Sequence, residues 1–177
     1  RRLPHHFTAS GIVVCQEHVL LVNHKRIGAW VPPGGHIEPE EMPEETVVRE
    51  ILEETGVAVE VLSEPVPETG DSEAFFLATP LYVQSVLAIE GGQEFYHLDL
   101  AYLCRPAASN QLDARGLPVL HGNQEVKEAC WIERTSAGQL VLAKNVQQAL
   151  DTLQNGGVVS RFSRVAPTVA FLDNVDK

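Results

Sequence analysis

Basic side chains are scarce in this chain of 177 residues: 13 Lys and Arg stand against 24 Asp and Glu, for a formal net charge of −11. Tight binding to a nucleic-acid backbone needs a basic surface, so such a partner is not expected. Cysteine is sparse as well. Cys15, Cys104 and Cys130 are odd in number and far apart, which leaves neither a disulfide framework nor the close spacing of a zinc site. All three fall in or beside apparent strands and read as reduced core thiols of a cytoplasmic protein. No stretch nears the roughly 18 apolar residues of a membrane-spanning helix, and no charged-then-apolar leader opens the chain. There is no internal repeat and no low-complexity tract. With 44% apolar residues and an ordinary charged fraction of 21%, the composition is that of a folded protein and not a disordered one. A single domain spanning 1–177 is expected, with its core from about 6 to 153 and a tail, 154–177, that shows no clear period.

What the chain does have is concentrated between Gly35 and Val57. Pro32, Pro33, Gly34 and Gly35 predict a loop, because two prolines and two glycines do not favour a ladder or a helix. Pro43 with Glu44 and Glu45 predicts a helix start with acids in its first turn, capped at Met42 or Glu41. The helix is expected to run to about Thr55, with Gly56 ending it in a left-handed conformation. Val47, Val48, Ile51 and Leu52 recur at three- and four-residue spacing and predict one buried face. Glu50, Glu53 and Glu54 lie at i, i+3 and i+4, so they project from another face as neighbours.

Charge makes this run unusual. Eight glutamates and one arginine lie between Glu38 and Val57, a net −7 of the chain's −11. Adjacent like charges destabilise a bare helix. Hard oxygen ligands on a rigid element suit Mg²⁺ or Mn²⁺, which keep waters and also bind substrate phosphates. Arg49, the only base among them, can pair with a neighbouring carboxylate and hold it. Glu38, Glu40, Glu44 and Glu45 read instead as exposed first-turn acids.

Elsewhere the pattern gives strands at Thr8–Cys15 and His18–His24 about a turn at Gln16-Glu17, then a short extended piece at Trp30–Pro32. Further strands are expected at Ala58–Ser63, Leu81–Ile89, Tyr96–Arg105 and Glu128–Glu133, with a turn at Glu90-Gly91-Gly92. Residues 64–74 and 106–122 read as loops, the latter mobile. Asn145–Leu153 reads as a closing helix ended by Asn155-Gly156-Gly157. Mixed strands with helices on both sides make the fold class α/β (α+β).

The run Gly35-x5-Glu41-x7-Arg49-Glu50-Ile51-x-Glu53-Glu54-x-Gly56-Val57, with the lead-in Pro33-Gly34-Gly35, resembles the Nudix box of the Nudix hydrolases at every defining position. The resemblance extends more loosely from His6 to Leu153. It implies an α/β/α sandwich with a mixed sheet, and a pyrophosphohydrolase that uses Mg²⁺ or Mn²⁺ to drive water onto the diphosphate of a nucleoside diphosphate derivative. Carried onto this chain, it implies Glu50, Glu53 and Glu54 as metal ligands or the base that activates water, with the Gly34 carbonyl also near the metal. Arg49 would orient Glu50 or Glu53, and Glu41 would support it. Gly35 and Gly56 would be structural. A further metal-binding or proton-accepting glutamate often stands in a loop before a late strand; Glu125 fits that description and Glu128 is the runner-up, although an exposed loop acid gives the same pattern. A homodimer is common in the family and is neither required nor excluded here.

Smaller constellations surround the box. His97 and Asp99 share a strand face opposite Leu98, Leu100 and Tyr102; in a cleft they would touch base or phosphate, and a solvent-facing sheet gives the same alternation. Lys25 and Arg26, beside His24, would meet substrate phosphate or lie in an exposed turn. His36 follows the double glycine and would line the cleft. His5 and His6 read as a disordered end before the first strand. The positions around Ser72 to Phe75, where some Nudix subfamilies carry a proline or tyrosine substrate marker, hold neither. A nucleoside triphosphate, oxidised or not, ranks first among substrates, ahead of a nucleotide sugar or other diphosphate. The alternatives to a hydrolase are a nucleotide-sensing module without turnover and an isomerase of the isopentenyl-diphosphate type, which would need a cleft cysteine.

Overall fold

A computed structural model of the chain describes residues 3–25, 28–63, 73–124 and 126–139. In chain order it contains β1 (His5–Cys15), β2 (His18–His24), β3 (Trp30–Val31), β4 (Gly34–His36), α1 (Pro43–Thr55), β5 (Val59–Leu62), β6 (Tyr82–Glu90), β7 (Gln93–Pro106) and β8 (Val126–Glu133), followed by a 3-10 turn at Arg134–Gln139. The strands make one mixed sheet, β3-β2-β1-β7-β5, with β4 bonded to β1, β6 to β7 and β8 to β2. The β1–β7 pair is parallel, from His5 opposite Tyr96 to Val13 opposite Cys104. The other pairs are antiparallel. This is the expected mixed α/β fold. The helix expected at 145–153, the tail, and the candidates Arg26 and Glu125 lie outside the described residues.

Alternation along β1 and β7 separates the two faces of the sheet. Ala9, Val13, Tyr102 and Cys104 pack with Val47 and Ile51 of α1 in one cluster. Ile12, Val14 and Leu103 turn the other way and pack with Val19 and Leu21. Side chains alternate at a period of two, so His6, Thr8 and Ser10 follow Ile12, and His97 and Asp99 follow Leu103. These polar groups therefore share the face turned away from α1. Val47 and Ile51 are fully buried; each contributes about 1.5–3 kcal/mol relative to exposure, which seats the acidic helix on the sheet.

Four expectations are corrected. The first strand begins at His5 and not at Thr8, because His5–Phe7 gain a parallel partner in Tyr96–Leu98; His5 and His6 are strand residues and not a loose end. The Pro-Pro-Gly-Gly segment does enter a ladder: Gly34, Gly35 and His36 pair with Ser10, Ala9 and Thr8. Missing side chains make this possible, since a Cβ on Gly34 would lie 2.4 Å from the Ala9 carbonyl oxygen. On α1 the buried residues are Thr46, Val47, Ile51, Glu54 and Thr55, whereas Val48 and Leu52 are exposed and line a groove with Val59 and Val61. Finally, the segment read as a mobile loop after β7 is anchored. Leu117 is fully buried, Leu112 bridges to Pro118, and the Trp131 indole donates to the Pro118 carbonyl at 2.9 Å.

Candidate functional site

The acidic run folds as α1 because its two ends are well specified. The Met42 amide donates to the Glu45 carboxylate at 2.8 Å across the first turn, with Pro43 at the first helical position. At the other end Gly56 adopts φ 73° and its N–H reaches the Leu52 carbonyl. The segment before α1 brings Gly34–His36 against β1, and so fixes the glycine pair beside the helix.

Arg49 organises the carboxylates. Its Nε donates to Glu41 Oε1 at 2.5 Å and its Nη2 to Glu41 Oε2 at 2.9 Å, a two-pronged pairing. Nη1 donates to Glu50 Oε1 at 2.8 Å and to Glu53 Oε2 at 3.2 Å. Nη2 also reaches the His36 carbonyl at 3.4 Å, tying the fork to β4. Glu41 is further held by the Thr46 hydroxyl at 2.7 Å. Arg49 first, then the Thr46 hydroxyl and the Glu38 amide, hold the Glu41 carboxyl down at about 2. The Arg49 guanidinium is correspondingly held in its charged form, chiefly by Glu41.

The three box carboxylates occupy different environments. Glu53 is the most open, with 56% of its side chain exposed, against 15% for Glu50. Glu54 is buried at 2% and accepts the Gly34 amide at 3.0 Å. Glu50 lies against Gly35 so closely that a Cβ there would sit 2.3 Å from Glu50 Oε1. The second glycine is thus a cradle for a carboxylate. Four acids and one guanidinium leave a surplus of negative charge around oxygen donors, an arrangement that fits a hard divalent cation.

The outlying candidates have definite positions. Lys25 is exposed and donates through Nζ to the Gln124 carbonyl. Glu128 is exposed on β8 opposite Asn23. Asp99, 7% exposed, accepts the Thr8 hydroxyl at 3.0 Å, the Ser10 hydroxyl at 2.8 Å and the Gln84 amide at 3.0 Å. It ties β1, β6 and β7 together on the face away from α1. Burial pushes the Cys104 thiol up to about 12, and burial with Glu128 nearby pushes the Cys130 thiol up to about 11. Neither is poised as a nucleophile.

Sequence reasoning missed the donors around Asp99 and the gathering of His6, His36 and His97, whose rings meet across β1, β4 and β7. Each belongs to a different strand: the β1–β7 register, which pairs His6 with His97 across 91 residues, and the β1–β4 register, which sets His36 opposite Thr8, together bring them into one group. The expected alternation of His97 and Asp99 against Leu98, Leu100 and Tyr102 was the one available signal.

The fold and the acidic helix beside a glycine turn define a class, and comparison with known proteins gives its family. The NUDIX domain model matches residues 5–154. The chain belongs to the NUDIX family. A NUDIX-family hydrolase from Clostridium perfringens superposes with a TM-score of 0.62 at 26% identity, covering 84% of this chain and 97% of that one. Among curated proteins, a MutT-like protein of Streptomyces ambofaciens is 41% identical over 58 residues. A putative 8-oxo-dGTP diphosphatase of Bacillus subtilis is 52% identical over 40 residues. The matched stretches span 38% and 27% of those two relatives, and 32% and 23% of this chain. No helix among the described residues is long and apolar enough to cross a membrane.

Proposed function

We propose that the chain is a divalent-metal-dependent pyrophosphohydrolase that cleaves a phosphoric anhydride in a nucleoside diphosphate derivative, with a nucleoside triphosphate, oxidised or not, as the first candidate. The observation that carries this reading is the Arg49 fork, which holds Glu41, Glu50 and Glu53 in fixed positions beside Gly34 and Gly35. Glu50, Glu53 and Glu54 would hold Mg²⁺ or Mn²⁺, with the Gly34 carbonyl close by. When bound, the cation neutralises phosphoryl oxygens and lowers the pKa of a coordinated water.

The chain's own residues supply placement and proton transfer. Arg49 keeps Glu50 and Glu53 from swinging apart under mutual repulsion, and the Gly34 amide fixes Glu54. A carboxylate of this set accepts the proton as the water oxygen bonds to phosphorus. The anhydride P–O bond then breaks, and its electron pair stays on the departing phosphate oxygen. No covalent enzyme intermediate is needed, in keeping with thiols whose pKa values burial has raised. The buried Cys104 likewise argues against an isomerase built on a cleft cysteine. On the far face, His97 and the Asp99 network would position the nucleotide. The Bacillus subtilis relative, a putative 8-oxo-dGTP diphosphatase, supports an oxidised nucleoside triphosphate as a candidate substrate. We also propose that one domain makes up the whole of 1–177.

Chromatographic analysis of the products formed from nucleoside triphosphates, oxidised nucleotides, ADP-ribose, nucleotide sugars and diadenosine polyphosphates, with and without Mg²⁺ or Mn²⁺, tests the proposal. Metal-dependent cleavage of one class supports it and names the substrate. Silence from folded, metal-binding protein would favour a nucleotide-sensing role instead.

A further inference from the structure

We propose that His6, His36 and His97 form a second metal site, selective for a borderline transition ion such as Zn²⁺ or Co²⁺ and chemically separate from the carboxylate site. The site is built by sheet register. His6 on β1 lies opposite His97 on β7, and Thr8, two residues along on the same face, lies opposite His36 on β4. Three adjacent strands therefore present one imidazole each to the face turned away from α1. One ring nitrogen from each histidine lies within 4.8 Å of the others. The His6 and His36 rings are centred 5.6 Å apart, and those of His36 and His97 4.9 Å apart. Phe95 walls the group, with its ring 4.6 Å from that of His6 and 5.2 Å from that of His97.

Ligand chemistry decides which ion would bind. The cluster consists of imidazoles alone. A neutral imidazole offers one lone pair to a metal. Neutral nitrogen donors favour Zn²⁺, Co²⁺, Ni²⁺ or Cu²⁺ over Mg²⁺, whereas the oxygens of Glu50, Glu53 and Glu54 have the opposite preference. A tetrahedral site with bonds of about 2.0–2.1 Å places its nitrogens roughly 3.3 Å apart. The nitrogens lie at most 4.8 Å apart, so side-chain rotations at the three histidines that close each pair by up to about 1.5 Å would form the site; His6, at the surface, is open to such rotation. The strands beneath hold still, because Asp99 clamps β1, β6 and β7 through Thr8, Ser10 and Gln84. Three protein ligands leave a coordination position open to water or to a ligand oxygen. His36 directly follows Gly35, which touches Glu50, so an ion here would be one residue removed from the carboxylate site.

The test uses the full chain, purified without a polyhistidine tag and titrated with Co²⁺ in excess Mg²⁺. The expected result is one equivalent of Co²⁺ with the strong d–d absorbance of a four-coordinate nitrogen site, displaced by Zn²⁺. Binding should persist in Glu53→Gln and Glu54→Gln. It should weaken by roughly a hundredfold or more in His97→Gln and in His6→Asn, given that even an outer-shell partner is typically worth 10–100-fold. The surface position of His6 keeps the second variant informative should His97→Gln fail to fold. The proposal is overturned if Co²⁺ does not bind, if Mg²⁺ or Glu53→Gln removes the signal, or if both histidine variants bind like the parent.

Discussion

Replacing Gly35 with alanine should remove activity while leaving the fold almost untouched. The new Cβ would lie 2.3 Å from Glu50 Oε1, 2.5 Å from its Cδ and 2.9 Å from Oε2. An ordinary non-bonded contact is about 3.5 Å, so the carboxylate must retreat by about 1 Å. Gly35 is a strand residue without a positive φ, so alanine brings no backbone strain there. The obstructing atoms are the end of a flexible side chain, whose displacement costs on the order of 0.5–1.5 kcal/mol. Against that, alanine restricts the unfolded chain and returns about 0.4–1 kcal/mol. The melting temperature should therefore move by no more than about 2–4 °C, the shift per kcal/mol at this chain length. Catalysis is far less tolerant, since a misplacement of about 1 Å can cost 10²-fold. The assay is kcat/KM on the best substrate of the panel at saturating Mg²⁺, beside a thermal melt. Gly35→Ala should lose about 10²-fold, and adding it to Glu50→Gln should cause little further loss because both act through one carboxylate. Activity within threefold of the parent, from folded Gly35→Ala protein, would refute the idea that the glycine exists to seat Glu50.

Other expectations follow from the same geometry. Arg49→Lys replaces a fork that bonds Glu41, Glu50 and Glu53 with a point charge, and should reduce metal affinity or kcat/KM by about 10–100-fold; parental values in both assays would remove Arg49 from its organising role. Glu41 is held at about 2 in the folded chain against a usual 4.5, so its contribution is complete above pH 4.5 and is lost as pH falls through 2. Denaturant titrations should accordingly find the parent more stable than Glu41→Gln by a constant margin from pH 7 to about 5, narrowing below about 4.5; a margin that does not change with pH would contradict this. Gly56→Ala and Gly28→Ala both place alanine at positive φ, 73° and 68°, but only at Gly56 would the Cβ also strike His121, at 2.9 Å. Each should cost about 1–2 kcal/mol in backbone strain, with Gly56→Ala melting measurably lower; equal melting temperatures would show that His121 simply moves aside.

The legible parts of the molecule were those written locally. The helix bounds Pro43 and Thr55 follow from a proline, two first-turn acids and a terminal glycine. Arg49 was marked by being the only base among eight acids. What stayed hidden depends on partners distant in sequence. The β4 ladder could not be read from Pro-Pro-Gly-Gly, because its cause is the close approach of Gly34 to Ala9 and Ser10. The early start of β1 rests on β7, some 90 residues away. The helix offered two adjacent apolar stripes, and the sequence has no means of saying that Val47 and Ile51 would be buried while Val48 and Leu52 stayed open. Glu54 was legible as a charged ligand candidate, yet its burial against the Gly34 amide depends on the same hidden ladder. The histidine triad required both the β1–β4 and the β1–β7 registers, and so had no local signature.

The central claim is that the box carboxylates drive metal-dependent cleavage of a phosphoric anhydride. Its most direct test is single-substrate turnover by Glu53→Gln and Glu54→Gln at saturating Mg²⁺, with melting curves to confirm folding. If these groups hold the metal or take the proton, turnover falls by about 10²–10⁴-fold in each. Near-parental turnover in both folded variants would place the chemistry elsewhere.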